Sequence, residues 1–339
     1  MKQYEIVNKG NVLDEKGHVL QPGYAKQLLL HYDRNMVKAS KWRIKEWDYY
    51  WIGNKDFGVA LTVADNSYMG LVGAMFLDFN NQRKINVSRI IPFPFGKMNL
   101  PVESSIGDIN YESKKINVRI LSHPTHKELY CHIPKYEGDK SFELYVKLYY
   151  RNEDSMVIVT PYKEDEKAFY YNQKVNNLEA MGSFTIGEQV YPLDHNFGVL
   201  DWGRGVWTYD NTWYWSSASG KLKDGSLFGF NLGYGFGDTS KATENMVFYQ
   251  GKAYKMTDVD FGIPDTSFID PWHFTSSDGT IDLSFKPIYD NRTDINLSVL
   301  RQDAHQVFGL FSGHIVIEQG NEIKVDSIFG FAEKVRNKW

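Results

Sequence analysis

The chain concentrates its chemistry-bearing side chains in residues 193–207, LDHNFGVLDWGRGVW. This stretch holds two acids, Asp194 and Asp201, together with His195 and Arg204. On an extended strand Asp201 and Arg204 point to opposite faces, and the flanking glycines leave the face of Asp201 open to close approach by a backbone or a ligand. A carboxyl whose pKa is raised by an apolar wall can act as a general acid. Asp194 and Asp201 are therefore candidate catalytic acids, with His195 as a second proton carrier.

A structural interpretation of the same stretch is also open. An arginine flanked by aromatic rings stacks on one of them while its guanidinium binds a carboxylate. Arg204 would then pair with Asp201 or Asp194 as a buried clasp that closes one end of a β-barrel. The two interpretations separate on one question, which is whether Asp201 and Arg204 form a closed pair or border a cavity.

The stretch TWYW that follows places Trp213 and Trp215 on one face of a strand and Tyr214 on the other. Indole rings line pockets for large apolar or planar ligands, and they also fill the interior of a wide barrel, so the pattern admits both a pocket and a core. In the pocket interpretation Tyr214 joins the candidate catalytic residues. The remaining binding candidates of this region are Trp202, Trp207 and Arg204.

Glu244 and Asn245 lie where a glycine-rich loop, GYGFGDTSK, gives way to a strand. An acid followed by an amide could orient a substrate hydroxyl, and both residues are therefore candidate binding residues. Such a pair can also satisfy the backbone of its own loop. Both interpretations stay open at this point.

Metal-ligand residue types cluster at His123, His126, Cys131 and His132. Zinc needs three or four converging ligands, and Pro124 prevents helical placement of the first two histidines. Cys131 and His132 are neighbours on a strand and point to opposite faces, so at most three of the four could converge. We therefore expect no metal site. No nucleotide-binding glycine motif is present, and we expect no bound cofactor.

Alternation at period two, punctuated by Gly, Asn and Asp turns, runs from end to end and predicts an all-β fold. Hairpins are expected to close at Gln250-Gly251, Asp278-Gly279 and Gln319-Gly320-Asn321. No stretch has sustained helical periodicity, and the best helical candidate is the segment 163–182.

A faint internal repeat relates residues 45–70 to residues 211–237. Each copy has an aromatic strand, a polar turn, a Phe-Gly pair and a second strand, and Trp47 corresponds to Trp213. The second copy has the longer turn. The repeat predicts two similar β lobes, residues 1–170 and residues 171–339, which meet in the polar region 163–180.

The blocks IKEWDYYWI, FYYNQK, LDWGRGVW, TENMVFYQGKAYKM and GFAEKVRNKW resemble, in order, those of a bacterial domain-of-unknown-function family, number 2804. The two-lobe plan is similar to the tandem-lipocalin (calycin-like) group of carotenoid hydratases and tocopherol cyclases. This resemblance implies two lipocalin-like antiparallel β-barrel or sandwich lobes in tandem, the second carrying DWGRGVW and TWYW. It implies no established activity.

Composition narrows the function classes. The net charge is −4 with no basic block, which argues against a nucleic-acid partner. The start lacks the apolar core of a signal peptide, and the longest apolar stretch is too short to span a bilayer, so we expect a cytoplasmic protein without a membrane span. The oligomeric state stays open.

Three functions are consistent with these residues. The first is a cofactor-independent hydratase, isomerase or cyclase, in which a carboxylic acid protonates an apolar or polycyclic small molecule and aromatic faces stabilise the cation. The second is a non-catalytic binding or carrier protein for a hydrophobic ligand, with the same pocket. The third is a carbohydrate-active protein, in which Asp194 or Asp201 would work with Glu244.

Overall fold

The computed structural model describes residues 3–297 and 300–338. Within these ranges the regular structure is almost entirely β, which confirms the all-β expectation. The helical turns of the described residues are short 3-10 segments at Arg34–Met36, Lys41–Arg43 and Glu318–Gly320, and none is long or apolar enough to cross a membrane. The chain begins with three short strands, β1 (Gly10–Asn11), β2 (Gly23–Ala25) and β3 (Leu30–His31).

Most of the first half of the chain forms one antiparallel sheet. Besides β2, its strands are β4 (Ile44–Gly53), β5 (Phe57–Asp65), β6 (Met69–Asp78), β7 (Arg83–Pro92), β8 (Ile109–Tyr111), β9 (Asn117–Ser122), β10 (His126–Glu137), β11 (Lys140–Tyr149), β12 (Met156–Tyr162), β13 (Asp165–Ile186), β14 (Gln189–Pro192) and β15 (Phe197–Val206). In the described residues this sheet has thirteen strands, ordered β7-β6-β5-β4-β15-β13-β11-β10-β9-β8, with β12 and β14 paired to β13 and β2 paired to β12.

The rest of the described chain forms a second antiparallel sheet. Its strands are β16 (Asp210–Lys221), β17 (Leu227–Tyr234), β18 (Met246–Tyr249), β19 (Lys252–Lys255), β20 (Val259–Asp260), β21 (Trp272–Ser276), β22 (Ile281–Leu297), β23 (Leu300–Ile317) and β24 (Asn321–Lys338). Their order in the sheet is β19-β18-β17-β16-β24-β23-β22-β21-β20. The three expected hairpins are β18–β19, β21–β22 and β23–β24. Both sheets are curled into half-barrels, which confirms the tandem lipocalin-like architecture.

The division between the sheets falls at residues 207–209, between β15 and β16. The sequence placed a lobe boundary at 170/171, but β13 crosses that position without a break, and β15 with its DWGRGV segment belongs to the first sheet. The segment 163–182, the best helical candidate, lies almost wholly in β13. Its residues 168–178 are buried on both faces of the strand, so they lack the alternation that identifies a half-exposed strand.

The predicted repeat corresponds to two equivalent hairpins. β4 and β5 are joined by residues 54–56, whereas β16 and β17 are joined by residues 222–226, which is the longer turn expected in the second copy. Both hairpins contribute to the packing between the sheets, where Tyr49 of β4 contacts Trp215 of β16 with ring centroids 6.3 Å apart. Trp51 of β4 packs on Phe308 of β23, with ring centroids 4.4 Å apart, in an apolar cluster between the sheets. Each central strand therefore has one face in its own lobe and one face toward the other sheet.

Candidate functional site

The two faces of β15 separate the charged residues of the DWGRGV segment. Arg204 is fully buried in the core of the first lobe, 4.4 Å from the ring of Trp202. Its Nη2 lies 3.0 Å from Oδ1 of Asp48 and donates to the carbonyl of Pro101, while Nη1 donates to the carbonyl of Trp47. The expected pairing of Arg204 with Asp201 or Asp194 is therefore wrong, since Asp48 on the neighbouring strand is the partner. Arg204 and Trp202 hold the lobe together and face away from Asp201.

Asp201 lies on the opposite face, toward the second sheet. Its Oδ2 is 2.8 Å from Nζ of Lys174, and its Oδ1 accepts a hydrogen bond of 2.7 Å from Nδ2 of Asn172. Lys174 is 1% exposed, and its ammonium lies 3.7 Å from the ring centroid of Trp215 on the second sheet. The cation thus neutralises the carboxylate of one lobe while it contacts an indole of the other.

Asp201 and Lys174 border a cavity of about 290 Å³ between the two sheets. The cavity lies between the half-barrels rather than inside either one. A depression of about 410 Å³ elsewhere is walled mainly by polar loop residues, with Tyr162 as its aromatic residue. The side chains that line the inter-sheet cavity are Lys45, Trp47, Thr62, Ala64, Asn66, Leu71, Tyr170, Lys174, Asp201, Trp207, Trp213, Trp215, Phe236, Gln302, Glu333 and Asn337.

Contiguous aromatic rings form one wall of this cavity. Trp207 makes edge contacts with Trp47 and Trp213, at centroid distances of 5.4 and 5.2 Å. Phe236 stacks on Tyr170 at 4.5 Å and lies 5.7 Å from Trp213. The wall therefore presents flat apolar and π-electron surface, which suits a planar or polyene ligand and can stabilise a positive charge.

Glu333 is the second carboxyl of the cavity, and sequence reasoning missed it. It lies on β24, accepts a hydrogen bond of 3.1 Å from Nε1 of Trp213, and is contacted at 3.5 Å by Nε2 of Gln306. Burial raises the pKa of Glu333 to about 7, although the Trp213 hydrogen bond and the charge of Lys174 act in the opposite direction. Near neutral pH this carboxyl therefore exists in both protonation states beside the aromatic wall.

Lys45, at the end of β4 that borders the cavity, is another residue that the sequence analysis did not identify as a candidate. Its Nζ donates to the carbonyl of Asn66 and lies 4.3 Å from the ring centroid of Tyr68. Burial lowers the pKa of Lys45 to about 7, and the charge of Arg43 acts in the same direction. The cavity thus holds a second group that changes charge near neutral pH.

Asp194 and His195 lie outside the cavity, in the turn between β14 and β15. Asp194 is exposed, and its carboxylate accepts a hydrogen bond from the backbone N–H of Gly182. The side chain of His195 is 90% exposed and lies 3.6 Å from the carboxylate of Glu179. The structure does not bring either residue to Asp201.

Tyr214 also faces away from the cavity. Its ring stacks on Tyr234 at 4.3 Å and lies edge-on to Phe261 in the core of the second lobe. Trp213 and Trp215, on the other face of β16, line the cavity, as the alternation of this strand predicts. The TWYW stretch therefore contributes to both a pocket wall and a core.

Glu244 and Asn245 are buried behind the cavity wall. Nε1 of Trp215 donates to Asn231, whose Nδ2 contacts the backbone and side-chain oxygens of Glu244. Burial raises the pKa of Glu244 to about 7, opposed by the charge of Lys174. Asn245 accepts from the backbone of Gly233 and donates to the carbonyl of Thr257, so it satisfies main-chain groups.

Of the residues with metal-ligand types, Cys131 is buried in the core of the first lobe and His132 lies 3.9 Å from Glu143. His123 and His126 instead converge with Glu128, a residue that the sequence prediction left out. Lys174, Glu333 and Lys45 were likewise missed as functional candidates. The signal available for Lys174 was its place in the block FYYNQK.

Comparisons with known proteins support the fold. A family model described as "Domain of unknown function (DUF2804)" matches residues 3–339, which confirms the expected family resemblance. No curated protein matches the sequence. The crystal structure of a provisionally assigned AttH from Nitrosomonas europaea is similar over 90% of this chain and 96% of its own, with a TM-score of 0.56 and 13% identity. Kievitone hydratase from Nectria haematococca is similar over 87% of this chain and 88% of its own, with a TM-score of 0.49 and 10% identity. At 13% identity the likeness to the first of these structures concerns the fold alone.

Proposed function

We propose that this chain, which belongs to the DUF2804 family, is an enzyme that protonates an apolar small molecule in the inter-sheet cavity, as a hydratase, isomerase or cyclase does. The observation that carries the proposal is Glu333. A buried carboxyl with a pKa of about 7 holds a proton near neutral pH and can release it to a bound substrate.

Glu333 acts as the general acid in this proposal. It transfers its proton to one carbon of an alkene, and the π electrons form the new C–H bond and leave a carbocation. The indole faces of Trp47, Trp207 and Trp213 lie along the wall where that charge develops. Aromatic rings stabilise a cation without supplying a nucleophile that would trap it.

Asp201 serves as the proton acceptor that completes the cycle. In a hydration, water adds to the cation and passes a proton to Asp201, so the sum is alkene plus water giving alcohol. In an isomerisation, Asp201 removes a proton from a neighbouring carbon instead. Lys174 and Asn172 fix the orientation of the Asp201 carboxylate, and exchange with water returns the proton to Glu333.

The first alternative is a non-catalytic carrier of hydrophobic ligands, which would bind its ligand on the same aromatic wall and would need no carboxyl for chemistry.

The second alternative, a carbohydrate-active protein, paired Asp194 or Asp201 with Glu244. Since Asp194 lies in an exposed turn and Glu244 lies behind Trp215, neither nominated pair meets at the cavity. Whether the carboxyls of Glu333 and Asp201 are needed for product formation therefore distinguishes an enzyme from a carrier.

The test measures product formation from a panel of terpenoid and polycyclic alkenes in ¹⁸O-labelled water by mass spectrometry. Glu333→Gln and Asp201→Asn are compared with Tyr214→Phe, a control at a residue that faces the core of the second lobe. We expect both carboxyl variants to lose at least about a hundredfold in turnover and to keep ligand affinity, with the control unchanged. If the wild-type protein binds panel members but forms no product from them, the protein is a carrier instead of an enzyme.

A further inference from the structure

A cluster of metal-ligand groups lies at the β9–β10 turn, among residues that do not line the inter-sheet cavity. Nε2 of His126 is 3.3 Å and Nε2 of His123 is 3.8 Å from the same carboxylate oxygen, Oε1 of Glu128. The three ligand atoms all lie within 4.8 Å of one another. Tetrahedral zinc with bonds of about 2.0–2.1 Å holds its ligand atoms about 3.4 Å apart, so the spacing of His126 and Glu128 already fits an ion.

The backbone explains why these residues converge. His126 and Glu128 are two positions apart on β10 and share one face of the strand. His123 is brought back over them by the turn, in which its backbone N–H donates to the carbonyl of His126. The two imidazole rings are stacked with centroids 4.5 Å apart, and His126 also stacks on Tyr149 at 5.1 Å. The rings are therefore ordered before any ion binds.

The contacts of the two imidazoles determine which nitrogens an ion can use. Without an ion, Nε2 of His126 donates to the Glu128 carboxylate at 3.3 Å. In the other tautomer the proton lies on Nδ1, 3.1 Å from Oγ1 of Thr125, and Nε2 is left to coordinate an ion. Nε2 of His123 is shielded from solvent and has no hydrogen-bond partner within the described part of the chain. A shielded nitrogen without a partner is a cost to the folded state unless something binds it.

One cation already competes for the carboxylate. Nζ of Lys147 lies 2.9 Å from Oε1 of Glu128, and the Lys147 side chain is 34% exposed. Its flexible stem can move the ammonium into solvent when an ion takes its place. Lys147 therefore lowers the affinity of the cluster for a cation without blocking it.

We propose that His123, His126 and Glu128 form a binding site for Zn²⁺, with the fourth coordination position open to water. Two imidazoles and a carboxylate are ligands that zinc accepts, and three protein ligands with one open position form a recurrent zinc arrangement. The expectation of no metal site was based on His123, His126, Cys131 and His132. It did not include Glu128, which is the residue that completes the set.

Equilibrium dialysis of the full chain against ZnCl₂, with bound zinc measured by elemental analysis, tests the proposal. We expect one saturable Zn²⁺ per chain, a loss of affinity of at least about tenfold in His123→Ala and in His126→Ala, and wild-type affinity in His132→Ala, a control on the same strand. Lys147→Ala should bind more tightly than wild type. Circular dichroism establishes that each variant is folded, and Glu128→Gln provides a further ligand variant of unchanged size.

Two results would overturn the proposal. One is the absence of saturable Zn²⁺ binding by the wild-type chain and by Lys147→Ala. The other is binding that folded His126→Ala and Glu128→Gln retain at wild-type affinity. Because the cluster shares no residue with the inter-sheet cavity, neither result bears on the proposed enzymatic function.

Discussion

Asp201 and Glu333 occupy equivalent positions in the two sheets. Asp201 is opposite Tyr49 of β4, and Glu333 is opposite Trp215 of β16, the strands that begin the two repeated hairpins. The next strand places Lys174 beside Asp201 but Gln306 beside Glu333. One carboxylate is therefore neutralised by a cation, whereas burial raises the pKa of the other to about 7. When the environments of two carboxyls differ in this way, the one with the raised pKa, here Glu333, suits a general acid, and the ionised one, here Asp201, suits a base.

The equivalent strands also exchange contacts across the interface. Lys174 of the first sheet lies over the ring of Trp215 in the second, and Gln306 of the second sheet donates to the hydroxyl of Tyr49 in the first. Each sheet thus supplies a polar side chain to an aromatic residue of the other. Changes at these positions are expected to affect the joining of the lobes as well as the cavity.

Replacing Glu333 by Gln should change how stability depends on pH. A carboxyl with a folded pKa of about 7 and an ordinary value of 4.5 binds more protons in the folded state, so its stabilising contribution is complete below about pH 4.5 and is lost as the pH rises through 7. Glu333→Gln should lie within about 1 kcal/mol of wild type near pH 5 and exceed its free energy of unfolding by about 3 kcal/mol near pH 9. Urea unfolding at both pH values measures this, and parallel pH profiles would contradict it.

The Lys174–Asp201 pair should behave as a buried ion pair. Lys174→Met leaves the Asp201 carboxylate without its cation and should lower the free energy of unfolding by about 3–5 kcal/mol at neutral pH. The double variant Lys174→Met/Asp201→Asn should recover a large part of that loss. A double-mutant cycle measured by chemical denaturation checks this, and strictly additive effects would show that the two groups do not interact.

Gly203 should be essential for the aromatic wall. A Cβ at this position would lie 2.0 Å from Cζ2 of Trp47, so Gly203→Ala must displace that ring from the cavity. We expect the affinity for a planar apolar fluorophore to fall about tenfold, with a loss of stability of about 1–3 kcal/mol. Gly220→Ala is the matched control, because its nearest neighbour is Cδ1 of Ile328 at 3.7 Å. If Gly203→Ala and Gly220→Ala bind the fluorophore with equal affinity, Trp47 is not part of the ligand site.

Arg204 should contribute to stability rather than to chemistry. Arg204→Met removes the partner of Asp48 and leaves several buried oxygens unpaired, and we expect a loss of about 3–5 kcal/mol of folding free energy. Arg336→Met, which breaks an exposed pair with Asp210, should cost at most about 1 kcal/mol. Thermal and urea unfolding of both variants provide the comparison. A fully stable Arg204→Met protein would contradict this structural role.

Period-two alternation was sufficient to predict the fold class, because strands such as β10, β11 and β21 alternate between buried and more exposed positions. It failed for β13, whose central residues pack into the first lobe on one face and against the second sheet on the other. The lobe boundary was displaced for the same reason, since a polar stretch such as NQKVNN suggests a linker when its partners are unknown.

The candidate site was predictable only in part. Alternation correctly placed Asp201 and Arg204 on opposite faces of β15, but the partners Lys174 and Asp48 come from neighbouring strands that local sequence does not pair. Glu333 was missed because a single acid in GFAEKV has no distinctive pattern. Its significance comes from lying opposite Trp215, in the position that Asp201 holds in the first sheet.

The most direct test of the central claim is an infrared titration of the Glu333 carboxyl between about pH 5 and pH 9. Difference spectra of wild type against Glu333→Gln isolate this group, and Glu244→Gln accounts for the second buried carboxyl with a pKa of about 7. We predict a protonated-carboxyl band that is present at about pH 5, disappears with a midpoint near pH 7 and shifts when an apolar ligand fills the cavity. A Glu333 side chain that is ionised across the whole range would contradict the proposed general acid.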